Sequence, residues 1–351
     1  MEFLIQQTLI YTIPLLIVAL AGVFAERSGI INLALEGIMI FGAFIGVLFI
    51  YVMQKNDLFT KDGAQLLLIA TLIISALCGA VFSLLLSFAA IELKADQTIT
   101  GTALNLLAPA AVLFLINVIA KQNVLGMASG DAASWFMLKK STFGFDDIDS
   151  LNPIIRLLFI NSEGEMNFFA RTFLVKNYLT TYICITLFIV LSVILYKTRF
   201  GLRLRSCGEN PQAADSLGIS VRKMRYSGTT ISGALAGAGG FVFALTTANA
   251  SANGDVAGFG FLALAVMIFG NWNPLTVALS AFLFGLFKCI AAAYATIDIN
   301  GDGVYLLKEL GISTNFYRML PYLVTLAVLA FTSKKSRAPK AEGIPYDKSV
   351  R

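Results

Sequence analysis

The 351-residue chain is 57% apolar and 13% charged, with a mean hydropathy of +0.78, whereas a water-soluble domain carries about a quarter charged residues. Its net charge of +5 gathers in one central segment and the C-terminal tail, which is the asymmetry of membrane-protein loops and no nucleic-acid signal. The absence of histidine removes imidazole acid–base and metal chemistry, and Cys78, Cys184, Cys207 and Cys289 show neither metal-ligand spacing nor a disulfide framework.

Several apolar runs reach the roughly 18 to 20 residues that a helix needs to cross hydrocarbon. They are continuous, unlike the alternating segments of about ten residues in a membrane barrel. The expected fold is an all-α polytopic membrane protein of about eight to ten transmembrane helices. Spans are expected over residues 8–25, 37–53, 64–91 and 100–120. The N-terminus lacks a basic leader region, so the first run is expected to be a retained span. Residues 121–177 mix acids, bases and aromatics. They read as an extracytoplasmic excursion with an interfacial piece at 153–160.

A fifth span, 178–196, enters the polar segment 197–226. There Lys197, Arg199, Arg203, Arg205, Arg222, Lys223 and Arg225 stand against only Glu209 and Asp215. Such a segment belongs on the cytoplasmic side. Four apolar segments follow at 227–247, 258–270, 275–297 and 316–332, and then a basic cytoplasmic tail, 334–351. This gives nine crossings and an outside N-terminus. Residues 26–37 also read as a re-entrant loop, which changes the parity before residue 37.

Within the spans, Gly233 and Gly237, and Ala236 and Gly240, lie four apart. That spacing lets helix backbones approach closely. The short segment 258–270 ends in GNWNP, the pattern of a broken helix beside a pathway. IMIFG at 38–42 recurs as VMIFG at 266–270, a faint echo of two pseudo-symmetric repeats. No GxxxxGK[ST] motif occurs, so the chain has no Walker-type ATP site of its own.

Asn32, Glu36, Gln97, Asn105, Asn271 and Asn273 are polar residues in or beside spans. They are candidates to hydrogen-bond a polar solute along a pathway and equally candidates to cap helix ends. Asp96 reads as a cap, and Lys288 as a side chain that snorkels to the interface. Asp298, Asn300, Asp302 and Glu309 fit D-x-[DN]-x-[DN]-G-x5-E, the spacing of a Ca²⁺-binding loop. A structural Ca²⁺ site and a polar turn loop are both open there.

The stretch GLRLRSCGENPQAADSLGISVRKMRYSGTTISGALAG, 201–237, resembles the coupling segment of ABC-importer permeases that serve branched-chain amino acids, ribose-type sugars and nucleosides. AERSGIINLALEGIMIFGAF, ADQTITGTALNLLAP, GFGFLALAVMIFGNWNPL, MLPYLVTLAVLAF and APKAEGIPYDK resemble its nucleoside ("simple sugar") branch, in family order. Phe259 stands where a basic residue is usual. The resemblance implies a permease domain over 1–333 that forms the pathway for nucleosides, in a bacterial cytoplasmic membrane. It implies a transport subunit and not an enzyme. Its partners would be a second homologous permease, an ABC ATPase (often fused as a double ATPase) that holds ATP and Mg²⁺, and a substrate-binding lipoprotein. No cofactor is implied on this chain itself. Ribose-type sugars are the alternative solute, and an ion-coupled secondary transporter is the alternative mechanism.

The resemblance places the ATPase contact at Gly208, Glu209, Asn210, Pro211, Ala213, Ala214 and Gly218. The residues agree with a short helix there. Asn210 suits its cap, Pro211 its first turn and Gly218 its end.

Overall fold

A computed structural model describes residues 2–58, 63–126, 132–138, 159–160, 166–175, 177–294, 309, 311–332 and 337–347. The helices are α1 (Glu2–Arg27), α2 (Leu35–Lys55), α3 (Ala64–Ile91), α4 (Gln97–Ala120), α5 (Ala132–Trp135), α6 (Leu179–Lys197), α7 (Arg199–Glu209), α8 (Pro211–Ser216), α9 (Val221–Thr246), α10 (Phe259–Phe269), α11 (Pro274–Ala293) and α12 (Thr314–Thr332). Seven of them, α1–α4, α6, α9 and α11, are long and apolar enough to cross a bilayer. The 11-residue α10 and the 19-residue α12 fall on the other two expected runs. The chain is an all-α, multi-pass membrane protein.

α1 and α9 form the buried centre. Their small residues decide the packing. A Cβ on Gly233 would meet Ser83 and Gly79 of α3, and one on Gly237 would meet the backbone of Ser75 and Gly79. A Cβ on Gly240 would meet Met39 of α2. Ser87 of α3 and Thr229 of α9 hydrogen-bond at 2.6 Å. Ser87–Thr229, Ser83–Gly233 and Ser75–Gly237 step in opposite directions, so α3 runs antiparallel to α9. The seam expected from the glycine spacing is therefore real, and both helices contribute small residues to it. The outer helices expose apolar side chains such as Leu106, Phe114, Ile189, Val193 and Leu279, which suits a lipid-facing surface.

Two irregular stretches enter the helical layer. Residues 28–34 join α1 to α2, and Asn32 reaches Ser232 near the middle of α9 at 2.9 Å. Residues 247–258 join α9 to α10. Asn249, Ala250, Gly254, Ala257 and Gly258 there all have positive φ, and Ser251–Ala252 (β2) pairs antiparallel with Leu125–Gly126 (β1). The 11 residues of α10 span about 16 Å, roughly half the hydrocarbon thickness. The broken helix expected over 258–270 is thus observed. The repeated pentapeptide does not mark equivalent places: 38–42 opens α2, while 266–270 closes α10.

The polar segment 197–226 is almost wholly helical. Gly201, Leu204, Cys207 and Gly208 form the buried face of α7, and Arg222, Lys223 and Arg225 belong to the first turns of α9. Within 121–177, a π-helical turn over Ala170–Leu174 packs back on α1, where Gln6 Nε2 donates to Arg171 O at 2.8 Å. Asp298, Asn300 and Asp302 of the Ca²⁺-type pattern, and most of 153–160, lie outside the described residues. Glu309 is exposed.

Candidate functional site

The segment between α6 and α9 is built by caps. Thr198 accepts from Gly201 N at 3.3 Å to start α7. Asn210 Oδ1 accepts from Ala213 N at 3.0 Å and Pro211 holds the first position, which starts α8. Gly218, at φ +79°, ends it, a conformation that costs a residue with a Cβ. Ala214 faces inward (2% exposed) beside Cys207 and Val221. Gln212, Ala213, Ser216 and Leu217 face solvent, with Leu217 81% exposed. Gly208 and Glu209 close α7. A Cβ on Gly208 would collide with the Arg27 carbonyl, and Glu209 pairs with Arg27 at 3.3 Å. The predicted coupling residues are therefore contiguous. They divide into a base that grips the end of α1 and a small protruding helix.

Beside this base lies the turn after α10. Asn271 and Trp272 both have positive φ (52° and 55°), which is uncommon for residues with side chains. The turn is pinned. The Trp272 indole donates to Glu26 Oε2 at 2.5 Å, Tyr196 donates to the Trp272 carbonyl, and Asn273 Oδ1 accepts from Leu275 N at 3.1 Å to cap α11. Asn271 and Asn273 thus act at this turn.

The C-terminal segment 337–347 packs onto the same region. Arg337 N donates to Asn271 Oδ1 at 2.7 Å, and Ala341 N donates to Gly208 O at 2.9 Å. Arg225 Nη1 donates to Ile344 O at 2.9 Å, Lys94 pairs with Asp347 at 2.5 Å, and Tyr346 packs against the Cys207–Ala214–Val221 cluster. The tail expected only as a basic extension is, over these residues, folded structure.

Glu342 in this segment hydrogen-bonds Glu26, with Arg27 nearby. Burial pushes the Glu342 carboxyl up to about 7, although Glu26 and Arg27 pull the other way. The usual value is about 4.3. The docked segment therefore keeps a proton that a released one gives up, and docking weakens as pH rises from about 4.3 through about 7. Hydrogen-exchange protection at Ala341 and Gly343, corrected for intrinsic rates, is expected to fall between about pH 5.5 and about pH 8. Glu342→Gln is expected to flatten that dependence.

The other predicted pathway residues hold the two irregular stretches. Glu36 (7% exposed) lies in the first turn of α2 and caps the start of α10. It accepts from Gly258 N at 3.0 Å, Gly260 N at 2.6 Å and Phe261 N at 3.2 Å. A carboxylate there also meets the positive end of the helix dipole. Asn105 joins α4 to the start of α2, accepting from Gly37 N at 2.8 Å and donating to Leu33 O at 2.7 Å. Gln97 Oε1 accepts from Ile31 N at 2.7 Å, and Asn32 Oδ1 from Ala34 N at 3.1 Å. Asp96 caps α4 through Thr98 N and Ile99 N, as expected. These polar atoms meet protein partners at two places, the breaks and the inner turn.

A cavity of about 550 Å³ lies beside the start of α10. Tyr11, Phe259, Tyr294 and Tyr322 supply rings, and Lys288 and Arg318 supply cations. Lys288 does not snorkel outward. Its Nζ donates to Ala257 O at 3.3 Å and sits over the rings of Phe259 (4.9 Å) and Tyr322 (5.5 Å). Sequence reasoning missed this cavity. Its one visible signal was a lysine in the middle of an apolar run.

Comparison with known proteins agrees with this architecture. The family described as branched-chain amino acid transport system / permease component matches residues 4–329. The nucleoside ABC transporter permease protein NupC of Lactococcus lactis subsp. cremoris is 37% identical, covering 99% of this chain and 98% of its own. The guanosine ABC transporter permease protein NupQ of Bacillus subtilis is 37% identical, covering 100% of this chain and 98% of its own. The putative glucose ABC transporter permease protein TsgC13 of Haloferax volcanii is 27% identical over 90% of this chain and 87% of its own. No solved structure matches.

Proposed function

This chain belongs to the family of branched-chain amino acid transport system permease components, and on that premise we propose that it is the permease subunit of an ABC importer for nucleosides. The observation that carries the solute class is the whole-length similarity to two permeases named for nucleosides and guanosine. The membrane is a bacterial cytoplasmic membrane, with the basic end inside. The family implies an ATPase and a substrate-binding protein. Our reading adds a second homologous permease, a fused double ATPase and a binding lipoprotein outside.

In this reading the exposed face of α8 sits in a groove of the ATPase. Closure of the ATPase moves α7 and α8 as a unit, because Gly208 and Glu209 are packed on α1. ATP chemistry stays on the partner. The aromatic and cationic cavity beside α10 is the solute contact, and its volume lies within the range of small-molecule sites. Tyr322, half exposed, offers a ring face to a nucleobase, and Lys288 and Arg318 offer donors to its carbonyls. Glu36, the carboxylate that an ion-coupled transporter would need, is instead occupied by three backbone donors.

Vesicles holding the complete complex are expected to accumulate radiolabelled guanosine or uridine with ATP, and not ribose. Tyr322→Ala is expected to raise the half-saturating concentration several-fold. Uptake of ribose alone, with neither nucleoside, would replace the nucleoside reading with the sugar reading that the Haloferax relative's name favours.

A further inference from the structure

We infer that the C-terminal segment 337–347 is a strap that transmits motion from α8 to the inner end of the broken helix α10. The inference rests on the reading of α8 as the ATPase contact. Its ground is the set of bonds the strap makes at both ends. Toward α7 and α8, Ala341 N donates to Gly208 O at 2.9 Å, and Tyr346 packs on the cluster that contains Ala214. Toward α10, Arg337 N donates to Asn271 Oδ1 at 2.7 Å. The Glu342 carboxyl meets the Glu26 carboxyl, which itself holds the Trp272 indole at 2.5 Å. Gly343 N donates to Gly29 O at 3.3 Å, so the strap also lies on the stretch between α1 and α2.

The segment is more than a surface tail. Arg225 is 1% exposed. Its Nη1 donates to Ile344 O, and its other two nitrogens meet no acceptor among the described residues. Lifting the strap would strip that guanidinium of its acceptor, and a buried charge without partners is costly. The docked strap is therefore part of the folded inner face. It links α8 to a turn, Asn271–Trp272, that both starts α11 and ends α10. Rigid packed elements that share two anchored ends carry displacement between them.

The test compares three permeases in the complete complex: one ending at Ser336, one with Tyr346→Ala and Asp347→Ala together, and Leu217→Asp on α8. Uptake and ATP hydrolysis are measured side by side. The expected result is that both strap variants keep ATP hydrolysis within about twofold of wild type and lose uptake within the range of about 5–150-fold that allosteric couplings span. If the truncated chain does not assemble, the double variant decides, because it keeps the chain length. Uptake per ATP unchanged in the double variant overturns the inference, as does a parallel fall in uptake and hydrolysis, which would make the strap part of ATPase docking. If Leu217→Asp also leaves uptake intact, the failure lies in the reading of α8. If Leu217→Asp uncouples while the strap variants do not, only the strap inference falls.

Discussion

Gly237→Val is expected to abolish the folded permease. Any Cβ at Gly237 points at the Ser75 carbonyl and the Gly79 backbone of α3. Overpacking a core costs about 1–3 kcal/mol where side chains can shift, but here the obstacles are main-chain atoms of an antiparallel helix. Relief requires α3 and α9 to separate. Separation would also break the Ser87–Thr229 hydrogen bond and open the centre of the molecule. Size-exclusion profiles of detergent extracts are expected to show little or no monodisperse Gly237→Val. Gly126→Ala is the control, since a Cβ there meets nothing within 4 Å. Wild-type yield of Gly237→Val would mean that the α3–α9 seam is not what the structure describes.

Glu36→Ala is expected to leave an inserted protein with little or no uptake. Its carboxylate takes three backbone N–H groups at the start of α10. Orphaning a buried donor costs about 1–3 kcal/mol each, and the lost interaction with the helix dipole adds to that. The first turn of α10 carries Phe259, which lines the cavity and lies under the Lys288 ammonium. Fraying this turn disorders the cavity wall first and the bundle only secondarily. Glu36→Gln keeps one acceptor oxygen and is expected to retain part of the uptake. Yield and uptake together check this, since a merely structural loss would lower both in step.

How much of this was legible depended on the distance between partners in sequence. Spans were legible because apolar runs carry their own signal. Asp96 and Asn210 were legible because a cap acts on donors two or three residues away. The α9 seam showed through glycine spacing alone. The amphipathic face of α7, Gly201, Leu204, Cys207 and Gly208, was present in the sequence but hidden behind its arginines. By contrast, Glu36 finds its partners more than 220 residues away, and Trp272 finds Glu26 across 246. No local pattern announces such pairings. Asn32, Glu36, Gln97 and Asn105 read equally as solute ligands and as caps, because intramembrane polarity is rare and irregular backbone needs the same residue types to hold it. The strap was hidden for another reason: the basic tail that contains it resembles a solvated extension, while its backbone donors, the Ile344 carbonyl, Glu342, Tyr346 and Asp347 find partners far away in sequence.

The most direct test of the central claim, that an ATPase drives this chain through α8, is Ala213→Asp in the reconstituted complex. Ala213 is exposed, and its backbone N–H stays bonded to Asn210 whatever its side chain, so the substitution changes only the protruding face. The expected result is continued ATP hydrolysis with uptake reduced by a factor within about 5–150-fold, at normal expression. Normal uptake per ATP hydrolysed, at normal expression, would contradict it.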